Sequence, residues 1–197
     1  MMTKNDLFNL NSPKQPLVMT GGLLGKQITL MELLDAKEKR SHTQMRLLKS
    51  FGCTLVCLTV NYVGDIKSND VTKTIFNQGA KAIFDNFKVE YFCVNLLPTG
   101  EEGFFVINHD AIKLKEFFAK IEETHPLGRF MDVDVFDDNG VQITRQQINQ
   151  PPRKCLLCNR DARECYLLRS HTPQQLKDFI DSAVIEFNAK ENQKTKV

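Results

Sequence analysis

A chain of 197 residues, 42% hydrophobic and 25% charged, is long enough to bury one sizeable core, and its formal net charge of +2 is too small to argue for a nucleic-acid partner. No apolar run is long enough to span a bilayer, and the opening MMTKNDLFNLNSPKQP lacks the apolar core of an export signal. The expectation is a cytoplasmic protein with no nucleic-acid or membrane partner, whose six cysteines are thiols or metal ligands rather than disulfides.

Residues 1–28 carry prolines, Asn and Lys without a clear period and read as a loose arm. From Thr29 a helical period runs through Leu30, Leu33, Leu34, Leu47 and Leu48, and Thr29 with Glu32 has the spacing of a capping box. The polar stretch inside it is either a solvated face or presents Arg40 to a phosphate. Gly52 ends the helix, and residues 53–63, β-branched and apolar, are expected as a buried central strand with Cys53 and Cys57 in the core. The following loop, Asn61 to Asp70, opens a helix. Such loops favour anionic groups through free backbone N–H groups and the helix dipole, which makes Asn61, Gly64 and Lys67 phosphate candidates, or else only a turn.

A helix over residues 71–87 has core spacing through Val71, Ile75, Phe76, Ala80, Ile83 and Phe84. Residues 89–97 and 104–108 read as a hairpin around a PTGEEG turn, and residues 111–123 as a further helix. That helix delivers the chain to HPLGRFMDVDVF. As a strand, this run puts Asp132 and Asp134 on one face and Met131, Val133 and Val135 on the other. Two neighbouring carboxylates are costly to bury unpaired, so they either face water on an edge strand or hold a hard cation such as Mg²⁺. The lead-in adds a glycine for close backbone approach, Gly128, and a fixed cation, Arg129. Asn139-Gly140 then predicts a hairpin turn into a strand over residues 141–144.

A second cluster follows at Cys155, Cys158, Cys165 and His171. The spacing C-x2-C-x6-C-x5-H supplies three thiolates and an imidazole, a set suited to a tetrahedral structural Zn²⁺, although a redox pair or free thiols would use the same residues. Arg153, Lys154, Arg160, Arg163 and Arg169 make its surroundings basic. A helix over 173–188 and a polar tail close the chain. The elements amount to an α/β (α+β) single domain with a mixed sheet of about five strands, flanked by roughly three or four helices, plus a C-terminal Cys/His knuckle and helix. Its bounds are residues 29–190, with the knuckle at 151–172 inside it and the tail at 191–197.

The strings EETHPLGRFMDVDV, PPRKCLLC followed by Cys165 and Arg169-Ser170-His171, and NYVGDIK followed by IFNQG resemble the apo-citrate lyase phosphoribosyl-dephospho-CoA transferase family, also called holo-citrate lyase synthase. The likeness runs from about Leu30 to past His171. It implies a nucleotidyltransferase-like fold and reaction, in which triphosphoribosyl-dephospho-CoA gives its phosphoribosyl end to a serine of the citrate lyase acyl carrier (gamma) subunit and diphosphate leaves. Carried onto this sequence, the family's segments fall on His125 to Arg129, on Asp132 and Asp134, and on Asn61, Gly64 and Lys67. Val63 stands where the family commonly has Pro, and Lys37 where Arg is usual ahead of Arg40. The expected roles are Mg²⁺ on Asp132 and Asp134, Arg129 and Lys67 on the leaving diphosphate, Arg40 and Gly128 in phosphate binding, and His125 or Glu123 as the base for the carrier serine. His125 would equally serve as a turn residue capping a helix. The competing class is a zinc-knuckle adaptor without catalytic activity, whose basic surround grips an acidic partner protein or RNA.

Overall fold

The computed structural model describes residues 25–194; residues 1–24 of the expected arm and 195–197 of the expected tail lie outside them. The capping box forms as its spacing predicts: the Glu32 N–H donates to Thr29 Oγ1 (3.2 Å) and the Thr29 N–H to Glu32 Oε2 (2.8 Å), starting α1 (Leu30–Phe51). Gly52, at a left-handed φ of 57°, ends it. The chain continues through β1 (Thr54–Val60), α2 (Asp70–Asn86), β2 (Tyr91–Leu97), β3 (Gly100–Ile107), α3 (Ala111–Thr124), β4 (Met131–Phe136), the short α4 (Ala162–Leu167) and α5 (Pro173–Lys194). Asn69 caps α2 through a second box with Thr72, and Asp110 caps α3.

The sheet has four strands in the order β2-β3-β1-β4, and every pairing is antiparallel. Among the described residues it is therefore four-stranded and antiparallel rather than five-stranded and mixed, and the α/β class holds. β1 and β2, joined through α2, point the same way but never pair, because β3 lies between them. The strand expected over 141–144 shrinks to one bridge, Phe136 with Gln142, and one bond from the Ile143 N–H to the Val135 carbonyl (2.8 Å). The reason is local: the Thr144 N–H donates to the side chain of Gln147 (2.8 Å), which bends the chain into a 3-10 turn at Gln146–Ile148. β3 in turn begins at Gly100, inside the expected turn. Its glutamates are buried with partners, Glu101 accepting from Ser68 Oγ (2.8 Å) and Glu102 facing Arg40 (3.1 Å).

Alternation along the strands gives the sheet two unlike faces. Val56, Leu58, Phe105, Met131, Val133 and Val135 meet Ile75, Phe76 and Ile83 of α2, Leu114 and Phe118 of α3, and Ile180 and Val184 of α5 in the main core. Burying each such large side chain stabilises the fold by about 1.5–3 kcal/mol before chain entropy is counted. The other face is smaller, with Leu55, Cys57, Phe104 and Val106 covered by Leu47 of α1. The acids of β4 lie on this second, partly open face.

Candidate functional site

Along β4, Met131, Val133 and Val135 are buried against the helices, while Asp132, Asp134 and Phe136 are intermediate in exposure on the opposite side. The register sets Asp132 opposite Thr59 and Asp134 opposite Cys57 of β1. The carboxylates thus share one face of a strand, as the alternation predicts. Asp134 accepts from Gln142 Nε2 (2.6 Å), and burial, followed by the negative charge of Asp132, pushes its carboxyl above the ordinary range. Lys115 of α3 runs along the free edge of β4, where its ammonium donates to the Val133 carbonyl (2.7 Å). Burial lowers the Lys115 pKa against the opposing pull of Glu122, Asp134 and Asp132.

Where β1 and β4 end, the Asn61 N–H donates to the Phe130 carbonyl (2.9 Å), and beyond that pair a cleft of about 1190 Å³ opens. That is larger than most small-molecule pockets and of a size for an extended nucleotide-like ligand. One wall is the loop after β1, with Asn61, Gly64 and Lys67. Gly64 has φ +102°, a conformation that side chains other than glycine rarely adopt. The Lys67 ammonium donates to the Tyr62 carbonyl, and burial lowers its pKa although Asp65 opposes the shift. Backbone bonds from Gly25 to Ser68 (3.0 Å) and from Ile28 to Asp65 (2.9 Å) hold the loop from outside.

A second wall follows from Gly128. A Cβ there would lie 2.1 Å from the Ile121 carbonyl oxygen, so only glycine lets the 3-10 turn Gly128–Phe130 press directly on the last turn of α3. The next residue, Arg129, then lines the cleft, its Nη2 donating to the carbonyls of Lys154 (3.0 Å) and Cys155 (2.7 Å). Behind it lies an ion-pair chain. Glu122, 3% exposed, accepts from Arg153 Nη2 (2.5 Å) and Arg145 Nη2 (2.9 Å). Arg145 continues to Glu123 (3.1 Å) and Arg153 to Asp132 (3.4 Å). Arg153 therefore ties the acid pair of β4 to the cleft.

The structure brings Asn61, Gly64, Lys67, Glu123 and Arg129 together around one cavity, with Asp132 reached through Arg153. Four of the expected residues lie elsewhere. Asp134 sits further along β4 against Gln142. Arg40 meets Glu102 on the α1 face of the sheet. Gly128 is buried against α3 and touches backbone rather than the cavity. His125 caps the end of α3, its Nδ1 accepting from the Leu127 N–H (3.1 Å), its ring against Phe187, and its pKa lowered by burial. It lines a separate hollow with Lys81 and Phe187. Sequence reasoning passed over Glu122 and Arg145. The Glu122-Glu123 doublet just ahead of the His-Pro-Leu-Gly-Arg run was a usable signal, whereas Arg145 stands in no pattern.

The third wall is the Cys/His knuckle. Its four ligand atoms, from Cys155, Cys158, Cys165 and His171, lie within 4.8 Å of one another and could hold a metal ion such as zinc. His171 Nε2 is 3.4 Å from Cys158 Sγ, and Cys158 Sγ is 3.9 Å from Cys165 Sγ. The contact with His171 is the main reason the Cys158 thiol is pulled down to about 6. All six cysteines are free of disulfides. Among the described residues, no helix is long and apolar enough to cross a membrane.

Residues 28–187 match a family model described as apo-citrate lyase phosphoribosyl-dephospho-CoA transferase. A Vibrio cholerae relative named "Probable apo-citrate lyase phosphoribosyl-dephospho-CoA transferase" is 38% identical over 167 residues, 82% of this chain and 94% of that protein. An Escherichia coli relative of the same name, without the qualifier, is 33% identical over 159 residues, 78% of this chain and 85% of its own. A Haemophilus influenzae relative named "Protein CitXG" is 32% identical over 163 residues, 80% of this chain, which spans only 35% of that longer protein.

Proposed function

Because the chain belongs to the apo-citrate lyase phosphoribosyl-dephospho-CoA transferase family, we propose that it transfers the phosphoribosyl-dephospho-CoA group from triphosphoribosyl-dephospho-CoA to a serine of the acyl carrier subunit of apo-citrate lyase. The observation that carries this reading is the cleft itself: Lys67, Arg129, Arg145, Arg153, Lys154 and Arg169 line one cavity, and Arg153 links it to Asp132. A polyphosphate needs that kind of cationic enclosure.

The reaction is of nucleotidyltransferase type and takes place in the cytoplasm. The serine oxygen bonds to the phosphorus next to the ribose, the bond from that phosphorus to the diphosphate breaks, and diphosphate departs with the electron pair. Transfer of this kind depends chiefly on positioning and charge neutralisation. Lys67 and Arg129 steady the departing diphosphate. Glu123, on the cleft rim, accepts the serine proton; His125 is turned away into its own hollow. Asn61 and Gly64 offer backbone and amide groups to the phosphates.

Asp132 and Asp134 fit Mg²⁺ as hard oxygen donors on one strand face, and the raised pKa of Asp134 marks a site where added positive charge would be welcome. Bound there, the ion would neutralise phosphate charge. A single transferase unit over residues 29–190, with the knuckle built into it, is sufficient for this chemistry.

The test is to incubate the protein with the precursor and the apo carrier, and to follow the mass of the carrier and the release of diphosphate. Both must rise together. An adaptor without catalysis would bind the carrier and change neither.

A further inference from the structure

We infer that Cys155, Cys158, Cys165 and His171 form a tetrahedral zinc site that holds together the cleft wall carrying Arg153 and Arg129's anchor points. The inference is independent of the transferase reading. With Zn–S near 2.3 Å and Zn–N near 2.0–2.1 Å, the edges of a tetrahedral site are about 3.8 Å between sulfurs and about 3.5 Å between sulfur and nitrogen. The observed 3.9 Å from Cys158 Sγ to Cys165 Sγ and 3.4 Å from Cys158 Sγ to His171 Nε2 are close to those edges. The 4.8 Å limit on the whole set exceeds a tetrahedral edge by about 1 Å, within the reach of side-chain rotation. The same 3.9 Å is nearly twice a disulfide bond, so the pair is not poised as a disulfide in this arrangement.

The backbone around the site is shaped for the same purpose. The Cys155 N–H donates to the Arg160 carbonyl (2.8 Å) and the Ala162 N–H to the Arg153 carbonyl (2.9 Å), closing a tight loop that carries the first two ligands. Asp161 then caps α4, which supplies Cys165. Arg169, at φ +48°, turns the chain so that His171 comes back to the thiols. Left-handed backbone at a non-glycine residue is costly and persists where its surroundings fix it.

What the knuckle lacks is a core of its own. Tyr166, Leu167 and Leu168 are 82%, 78% and 61% exposed, which leaves its inward side mainly to Cys155, Cys165 and Leu156. Segments with so little apolar burial are commonly held by a metal or by disulfides, and here the cysteines are free. The consequence reaches the cleft, because Arg129 donates to the carbonyls of Lys154 and Cys155, on and beside the first ligand.

The experiment is metal analysis of the full chain purified without chelators, followed by Co²⁺ replacement. The site predicts about one zinc per chain, and in the Co²⁺ form intense thiolate-to-metal absorption with tetrahedral ligand-field bands. Cys158→Ser and His171→Ala should each lose most of the metal, while Cys53→Ser keeps it. Zinc below about a tenth of an equivalent in folded wild type, with no such Co²⁺ spectrum, overturns the site. Hydrogen exchange tests the wall: removing the metal should speed exchange of amides in residues 153–171 about tenfold or more and leave β1 and β3 protected. Unchanged exchange in 153–171 overturns the structural role even where zinc is bound.

Discussion

The most informative single change is Glu122→Gln, because that carboxylate joins the fold to the cleft. Glu122 is 3% exposed and accepts from two guanidiniums, while the side chains of Arg145 and Arg153 remain 14% and 30% exposed. Removing one partner of a fully buried pair costs about 3–5 kcal/mol, mostly because a charge is left without its counter-ion. Two features lower that figure. Arg145 keeps Glu123 and Arg153 keeps Asp132, and partial exposure lets water solvate both cations. Glutamine also keeps the shape and one carbonyl acceptor. A loss of about 2 kcal/mol is expected, a large share of the 5–15 kcal/mol that a domain of this kind possesses. Urea unfolding of wild type and variant at neutral pH reads it as a lower midpoint at constant slope. Pairing the change with Arg153→Met in a double-mutant cycle should recover at least about 0.5 kcal/mol of coupling, since the two side chains touch. A loss in the single variant below about 0.5 kcal/mol would falsify the view that Glu122 organises this wall.

Gly128→Ala should cost about 3 kcal/mol or prevent folding, because its Cβ meets the Ile121 carbonyl, which is backbone and cannot step aside; wild-type thermal stability in the variant would contradict the packing described. Asp134→Asn should stabilise the protein at neutral pH while lowering carrier labelling about a hundredfold. The sign follows from its raised folded pKa: the ionised group disfavours folding as pH rises through that value, so the gain is present at neutral pH and vanishes below the ordinary carboxylate range. Asp132, Lys115, Arg153 and Gln142 face the same group and stay unchanged in that comparison. Equal stability of both proteins across the pH range would show that the burial is not felt. Lys67→Met should raise KM for the precursor about tenfold, the equivalent of roughly 1.4 kcal/mol of lost phosphate contact, with little change in urea midpoint. An unaltered KM would remove Lys67 from the ligand's path.

The elements with strong local signals were legible in the sequence. Thr29 with Glu32 marked the start of α1, Gly52 its end, and the alternation in MDVDVF both faces of β4. Errors came where tertiary partners overrode local chemistry. Glu101 and Glu102 read as part of a PTGEEG turn, yet Ser68 and Arg40 come from distant segments to meet them inside β3. Residues 141–144 read as a strand from the Asn139-Gly140 turn signal, but the Thr144 N–H bonds the side chain of Gln147 and the chain bends into a 3-10 turn. For the site, the loop at Asn61–Lys67 and the run through Arg129 could be named from glycines and cations alone. Arg145 could not, because its importance rests on Glu122 and Glu123, which lie 23 and 22 positions away.

The contacts of the cleft's cations divide them into two kinds. Arg145 and Arg153 are bonded to carboxylates, so much of their charge is already met inside the protein. Lys67 and Arg129 donate instead to neutral backbone carbonyls of Tyr62, Lys154 and Cys155. A carbonyl orients a cation without cancelling its charge, so these two keep theirs available for an incoming anion and exchange only a weak bond for a charge-assisted one. The first kind should therefore respond to substitution mainly in stability and the second mainly in substrate affinity. Arg153 belongs to the first kind twice over, because it meets Asp132 as well as Glu122.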